Sequence, residues 1–253
     1  MKALRIFLLI LIIIGIALIF THKIWVPKLV DKIIGDEFKQ GNTINPNINP
    51  ISITNKKINE ENFKGETSVI QGEGLLAIKM REYIDTTISD FRKQSNTEVP
   101  DIRKNFGNDS PSSTYEIYIN SKYIKNTKTE SIVTSVYSFT GGAHGSTVYK
   151  VITADMTNGK ILSLSDIIKK EKQDEFTKLL KKKLNEWIPE GSDAPVVFAD
   201  SISILNFESF SNWSIDENNL IIYFDQYALG PSALGAIEFP IPLKDIQGLL
   251  IKI

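Results

Sequence analysis

The sequence predicts an α+β fold: an N-terminal transmembrane helix, then antiparallel sheets with two long helices in two packed lobes. Three observations carry this reading. An uninterrupted apolar run, Ile6 to Phe20, follows a short basic start. Period-two alternation recurs between Tyr115 and Met156, with glycine-rich punctuation. Two stretches of helical spacing lie outside those strands and do not alternate with them, which excludes a regular parallel α/β pattern.

Taken in chain order, residues 1–26 read as a membrane anchor. Arg5 and Lys23 flank the run and Trp25 suits the interface. No small-x-small cleavage site follows, and Ile24, Trp25 and Val26 extend the apolar character, so a retained anchor is expected over a cleaved signal peptide. The folded part is then expected on the extracytoplasmic side of the cell membrane, as a single-pass protein. Residues 27–50 are a juxtamembrane segment ending in the Asn/Pro tether GNTINPNINP.

Residues 51–111 are expected to form a small α+β lobe. ISITNKKINEENFKGETSVIQ gives one or two short strands. A helix follows, with Leu76, Met80, Ile84, Ile88 and Phe91 on one face. NTEVPDIRKNFGNDSPS reads as a loop, because Pro, Gly and Asn break its pattern. Residues 112–253 are expected to form a larger α+β domain. Tyr115, Ile117 and Ile119 alternate with polar neighbours, as do residues 132–139 and 146–156. Asn158-Gly159 reads as a two-residue hairpin turn, and Ser165 as the N-cap of a helix. Phe176, Leu179, Leu180, Leu184 and Trp187 define the second long helix. Residues 213–215 and 220–225 flank a DENN turn, AIEFPIP reads as an edge strand, and LKDIQGLLI as a short closing helix.

Composition removes several classes of function. A formal charge of −1 argues against a nucleic-acid partner. The chain has no cysteine and two histidines, His22 and His144, so no metal site is expected. No cofactor is expected either. Gly72-Glu73-Gly74-Leu75-Leu76-Ala77 loosely matches a dinucleotide pattern but lacks the preceding buried strand, and reads as a turn opening a helix. The elbow of a serine hydrolase is missing, since Ser232 in GPSALG has the wrong spacing.

One segment stands apart. In FTGGAHG, Phe139 to Gly145, three glycines surround a histidine. It leads from strand to strand, which suits a close backbone approach better than a phosphate cradle. His144 reads as a structural imidazole, satisfied by a carbonyl or by a tyrosine such as Tyr227, in preference to a lone catalytic base. The glycine-rich segments GGAHG and YALGPSALG both lie at strand ends, and His144, Gly142, Asp225, Tyr227 and Ser232 are the ligand-binding candidates. No catalytic residue is assigned.

Three segments in order carry a family resemblance. YSFTGGAHG resembles the GGAHG signature of the RsiV-like extracytoplasmic domain family, the type found in anti-sigma-factor ectodomains and as accessory domains of PdaC-type deacetylases. TNGKILSLSDII is similar to its G-K-x-L-x-L-x-D hairpin, and YFDQYALGPS with Gly235 and FPIP to its C-terminal ending. The similarity spans residues 112–253; residues 51–96 resemble its small N-terminal partner subdomain, without the usual tyrosine-proline opening. The resemblance implies two α+β lobes displayed outside a bacterial membrane, one branch recognising lysozyme and others joined to peptidoglycan deacetylases. Sigma-factor release and deacetylation are not expected here: the segment before the anchor is too short for the first, and no deacetylase domain follows. The expected function is a membrane-anchored binding or sensor-type domain at the cell envelope, its ligand a lysozyme-like protein or a peptidoglycan glycan. The alternative is an envelope hydrolase, an esterase or polysaccharide-acting enzyme, using His144 with Asp225 or Ser232.

Overall fold

The computed structural model describes residues 50–251. The anchor expected over 1–26, the membrane contact over 6–26 and most of the tether lie outside these residues. Among the described residues no helix is long and apolar enough to cross a membrane.

Strands β1 (Ser52–Asn59) and β2 (Phe63–Gln71) form an antiparallel hairpin. Helix α1 (Leu75–Phe106) follows, with Gly74 at its N-cap. Strands β3 (Tyr115–Lys125), β4 (Thr129–Phe139), β5 (Ser146–Asp155) and β6 (Ile161–Leu162) complete a six-stranded sheet in sequential order. Helices α2 (Gln173–Glu186) and α3 (Ala199–Ser203) lead to a second sheet of β7 (Trp213–Ile215), β8 (Asn219–Phe224) and β9 (Ile237–Pro242). A short helix α4 (Leu243–Ile246) follows, and all described residues fall in one compact unit.

The fold is α+β, as expected, but the large sheet is mixed. β2 pairs with β3 in parallel, from Phe63 opposite Tyr115 to Thr67 opposite Ile119. The physical reason is that α1 runs back along the sheet and delivers the chain to the end from which β2 began. The division expected near residue 111 therefore falls between two neighbouring strands of one sheet.

Among the described residues only one helix is long. α1 has 32 residues and continues through Pro100, where the sequence predicts a loop; α2 has 14. Proline inside a helix forfeits the bond from its nitrogen to the carbonyl of Asn96. Tertiary contacts hold the final turns despite this. Val99 is fully buried. Arg103 donates to the carbonyls of Ser113 and Glu61 and to Oδ1 of Asn62, at 2.9, 2.7 and 2.9 Å. The Asn62 amide in turn donates to Asn96 Oδ1 at 2.9 Å.

Two local turn expectations also change. The β5–β6 connection has five residues, Met156 to Lys160, closed by Gly159 N–H donating to the Asp155 carbonyl at 2.7 Å. Asp155 Oδ1 accepts from Thr157 N, and this local bond favours the longer loop over a two-residue turn. The helical cap is Ser163, not Ser165: Ser163 and Asp166 bond reciprocally across a single 3₁₀ turn, Leu164–Asp166. The Lys160 ammonium, assisted by Ser163, holds the Asp166 carboxyl down to about 2.

Three apolar clusters show the layering. α1 lays Leu76, Met80, Ile84 and Phe91 against one face of the large sheet, where Ile117, Ile119, Ile132 and Val136 meet them. The small sheet and α2 enclose a second core around Phe176, Leu180, Leu184, Phe210 and Phe239. Between the sheets lies a thin seam of Val133, Val151 and Tyr223. That seam is partly polar and internally satisfied: Ser131 and Thr153 hydroxyls are 2.8 Å apart, and Thr153 donates to the Trp213 carbonyl at 2.8 Å. β4 is covered on both faces, so Ser131 through Thr134 are all buried despite their alternating sequence.

Candidate functional site

The candidate site begins with an edge that needs finishing. β6 pairs with β5 only at Thr153 and Ala154, which leaves residues 147–151 of β5 without a strand neighbour on that side. Side chains supply the missing partners. Asn212 Oδ1 accepts from Val151 N at 3.0 Å, and its Nδ2 donates to the Tyr149 carbonyl at 3.0 Å. Asp225 Oδ1 accepts from Tyr149 N at 2.7 Å. Gln226 N donates to the Thr147 carbonyl at 2.9 Å, while its Oε1 accepts from Thr147 N at 2.9 Å. Asp225 and Gln226 directly follow β8, so this mimicry of a strand fixes the next loop onto β5.

That loop carries Tyr227 to His144. The Tyr227 hydroxyl lies 3.1 Å from Nδ1 and 3.2 Å from Nε2, with the rings tilted by 35°. Nδ1 also faces the Gly145 carbonyl at 3.1 Å. One tautomer, assigned from these partners, satisfies both bonds: Nδ1–H donates to the carbonyl and Nε2 accepts from the tyrosine. Both side chains are exposed. Tyr227 has φ +70°, the only non-glycine residue with positive φ among those described. Such a conformation is disfavoured for an aromatic residue and persists only where its surroundings enforce it.

The glycines of this turn have different roles. A Cβ at Gly145 would collide with the Tyr137 ring and lie 2.5 Å from the Ser138 carbonyl oxygen. Gly142 has φ +95° and open space around its Cα. The first is demanded by packing, the second by backbone conformation.

The predicted residues are thus partly brought together. His144 meets Tyr227. Asp225 is committed to Tyr149 N and makes no bond to His144 among those described. Ser232 opens a 3₁₀ turn, and its carbonyl accepts from Gln226 Nε2 at 3.2 Å. Gly142 contributes conformation only. Sequence reasoning missed Asn212 and Gln226, whose amides hold the loop; an isolated amide in a loop gives no sequence signal. Among the described residues no three His, Asp or Glu side chains converge as metal ligands.

Comparison with known proteins places this geometry in context. A family model described as "Deacetylase PdaC" matches residues 41–147, and one described as "Protein of unknown function (DUF3298)" matches residues 165–244. The chain is similar to domains of both kinds. His144 lies in the first segment, while Asp225, Tyr227 and Ser232 lie in the second. The chain is 28% identical over 174 residues to the peptidoglycan-N-acetylmuramic acid deacetylase PdaC of Bacillus subtilis (strain 168). That similarity covers 65% of this chain and 36% of the deacetylase, so the chain spans about a third of that relative's length. Two crystal structures of DUF3298 proteins share the fold at 16% identity. The one from Bacteroides fragilis has a TM-score of 0.56 and the one from Pseudomonas aeruginosa PAO1 0.52, each similarity covering 80% of this chain and 94% of the other. These matches support the PdaC-type side of the resemblance seen in the sequence, and not the RsiV-like assignment.

Proposed function

We propose that this chain is a non-catalytic recognition module of the cell envelope, tethered to the membrane through residues 6–26 and binding a peptidoglycan glycan or an envelope protein through the His144–Tyr227 face. One observation carries this reading. Two exposed rings from separate matched segments are joined by a hydrogen bond, with Tyr227 held in a disfavoured backbone conformation. An exposed, fixed aromatic pair is an economical surface for stacking on a sugar or a partner side chain. The name of the Bacillus subtilis relative supports peptidoglycan as the first ligand to test; a lysozyme-like protein, suggested by the RsiV-like resemblance, is the second.

The test is retention of the detergent-solubilised full chain on purified peptidoglycan, with lysozyme-coated resin in parallel. Retention on either, lost in Tyr227→Ala while thermal unfolding is unchanged, is the expected result. Retention on neither, or equal retention of the variant, overturns the proposal.

The hydrolase reading has one observation in its favour: His144 is exposed and has a tyrosine hydroxyl within reach. It lacks an orienting carboxylate, since Asp225 is engaged elsewhere. Ester or glycan turnover by the full chain that vanishes in His144→Ala would establish it in place of the recognition module.

A further inference from the structure

Among the described residues β1 is an outer strand of the six-stranded sheet and pairs only with β2. Alternate N–H and C=O groups of such a strand point away from its neighbour and template a further strand. Edge strands are commonly blunted, and β9 carries Pro240 and Pro242. β1 has no proline over its 8 residues.

A groove of about 590 Å³ lies between the β1–β2 hairpin and α1. Its α1 wall is a single helical stripe, Arg81, Ile84, Asp85, Ile88 and Arg92. Ile58 and Ile70 add apolar surface from the hairpin, and Lys56 and Lys57 line the β1 side. Arg92 is neutralised by Glu60 in a two-pronged pair, with contacts of 2.8 and 2.9 Å. Arg81 is different. Its Nη1 donates to the carbonyls of Gly72 at 2.8 Å and Ile70 at 3.3 Å, and it forms no ion pair among the described residues. The guanidinium is held in place by two carbonyls, with no carboxylate paired to it among the described residues. Lys56, Lys57 and Arg81 line this groove together with a single further carboxylate, Asp85.

We propose that the β1 edge and the groove beside it bind an extended acidic peptide segment of a partner protein, added to the sheet as an extra strand. Its backbone satisfies the open edge of β1, an acidic side chain pairs with Arg81, and an apolar side chain rests on the half-buried Ile58 and Ile88. A neutral glycan would use neither the repeating backbone edge nor the surplus positive charge. A second copy pairing antiparallel through β1 would gather lysines from both chains at the middle of the joined ribbon, which is repulsive. The site shares no residue with the His144–Tyr227 face, so either can fail alone.

The detergent-solubilised full chain is titrated with a fluorescein-labelled Glu-Val-Glu-Val-Glu-Val-Glu peptide and with its Lys-for-Glu counterpart, followed by anisotropy and by amide hydrogen exchange. The acidic peptide binds saturably, the basic one does not, and amides in Ser52–Asn59 become protected. Arg81→Ala weakens binding by about tenfold or more, the loss expected for a charge-assisted bond. The double variant Lys56→Glu/Lys57→Glu, altered only at exposed positions, weakens it likewise, whereas Lys170→Glu, away from the groove, does not. Absence of saturable binding, equal binding of both peptides, or full affinity in both the Arg81 and the lysine variants overturns the proposal. So does protection of the outward β1 amides before peptide is added; sedimentation then tells a second copy from a segment of the same chain.

Discussion

At the scale of single residues, the GGAHG turn shows how one motif divides its work. Gly145 is required because the Tyr137 ring and the Ser138 carbonyl occupy the space a side chain would need. Gly145→Ala is expected to destabilise the protein by about 1–3 kcal/mol through overpacking. Gly142→Ala meets no neighbour and carries only the backbone penalty of a positive φ, about 1 kcal/mol. Chemical denaturation of the two variants ranks them, and equal losses would show that packing does not distinguish the glycines. The turn was legible in the sequence, because glycine density around a histidine has few local explanations. His144 does meet a carbonyl and Tyr227. What was not legible is how Tyr227 reaches it, since Asn212 and Gln226 act through backbone groups of β5 that no local pattern announces.

At the scale of elements, local periodicity was a sound guide to strands and a poor guide to partners. β3, β4 and β5 lie where alternation placed them, because each sets alternate apolar residues into the core beneath α1. The parallel pairing of β2 with β3 could not be read, since it depends on where α1 returns the chain. The last turns of α1 were hidden by Pro100, whose local cost is outweighed by the bonds of Arg103 and the burial of Val99. Two substitutions separate these effects. Pro100→Ala restores a helical N–H and is expected to raise stability by about 1 kcal/mol or more. Arg103→Ala removes three hydrogen bonds and is expected to lower it by about 1–3 kcal/mol. Thermal unfolding reads both; a destabilising Pro100→Ala would mean that the ring itself packs productively.

At the scale of the whole molecule, helix, sheet, sheet and helix are stacked as four layers, and the seam between the sheets is the thinnest. Its apolar part is small, so side-chain bonds to the β5 edge carry much of the junction. Asn212→Ala strands Val151 N and the Tyr149 carbonyl and is expected to cost about 1–3 kcal/mol. Hydrogen exchange should localise the change: amides 147–151 exchange faster while those on α1 do not, and a uniform increase would mean that the layers open together. The parallel joint between β2 and β3 has a consequence for the newborn chain. α1 is complete once residue 106 has emerged, but the wall that covers it runs on to β5 at residue 155. Until β3 and β4 emerge, Leu76, Met80, Ile84 and Phe91 have the first hairpin alone to rest on. The species at risk of clumping is therefore the half-made polypeptide, and slowing its synthesis just after α1 would lengthen that exposure.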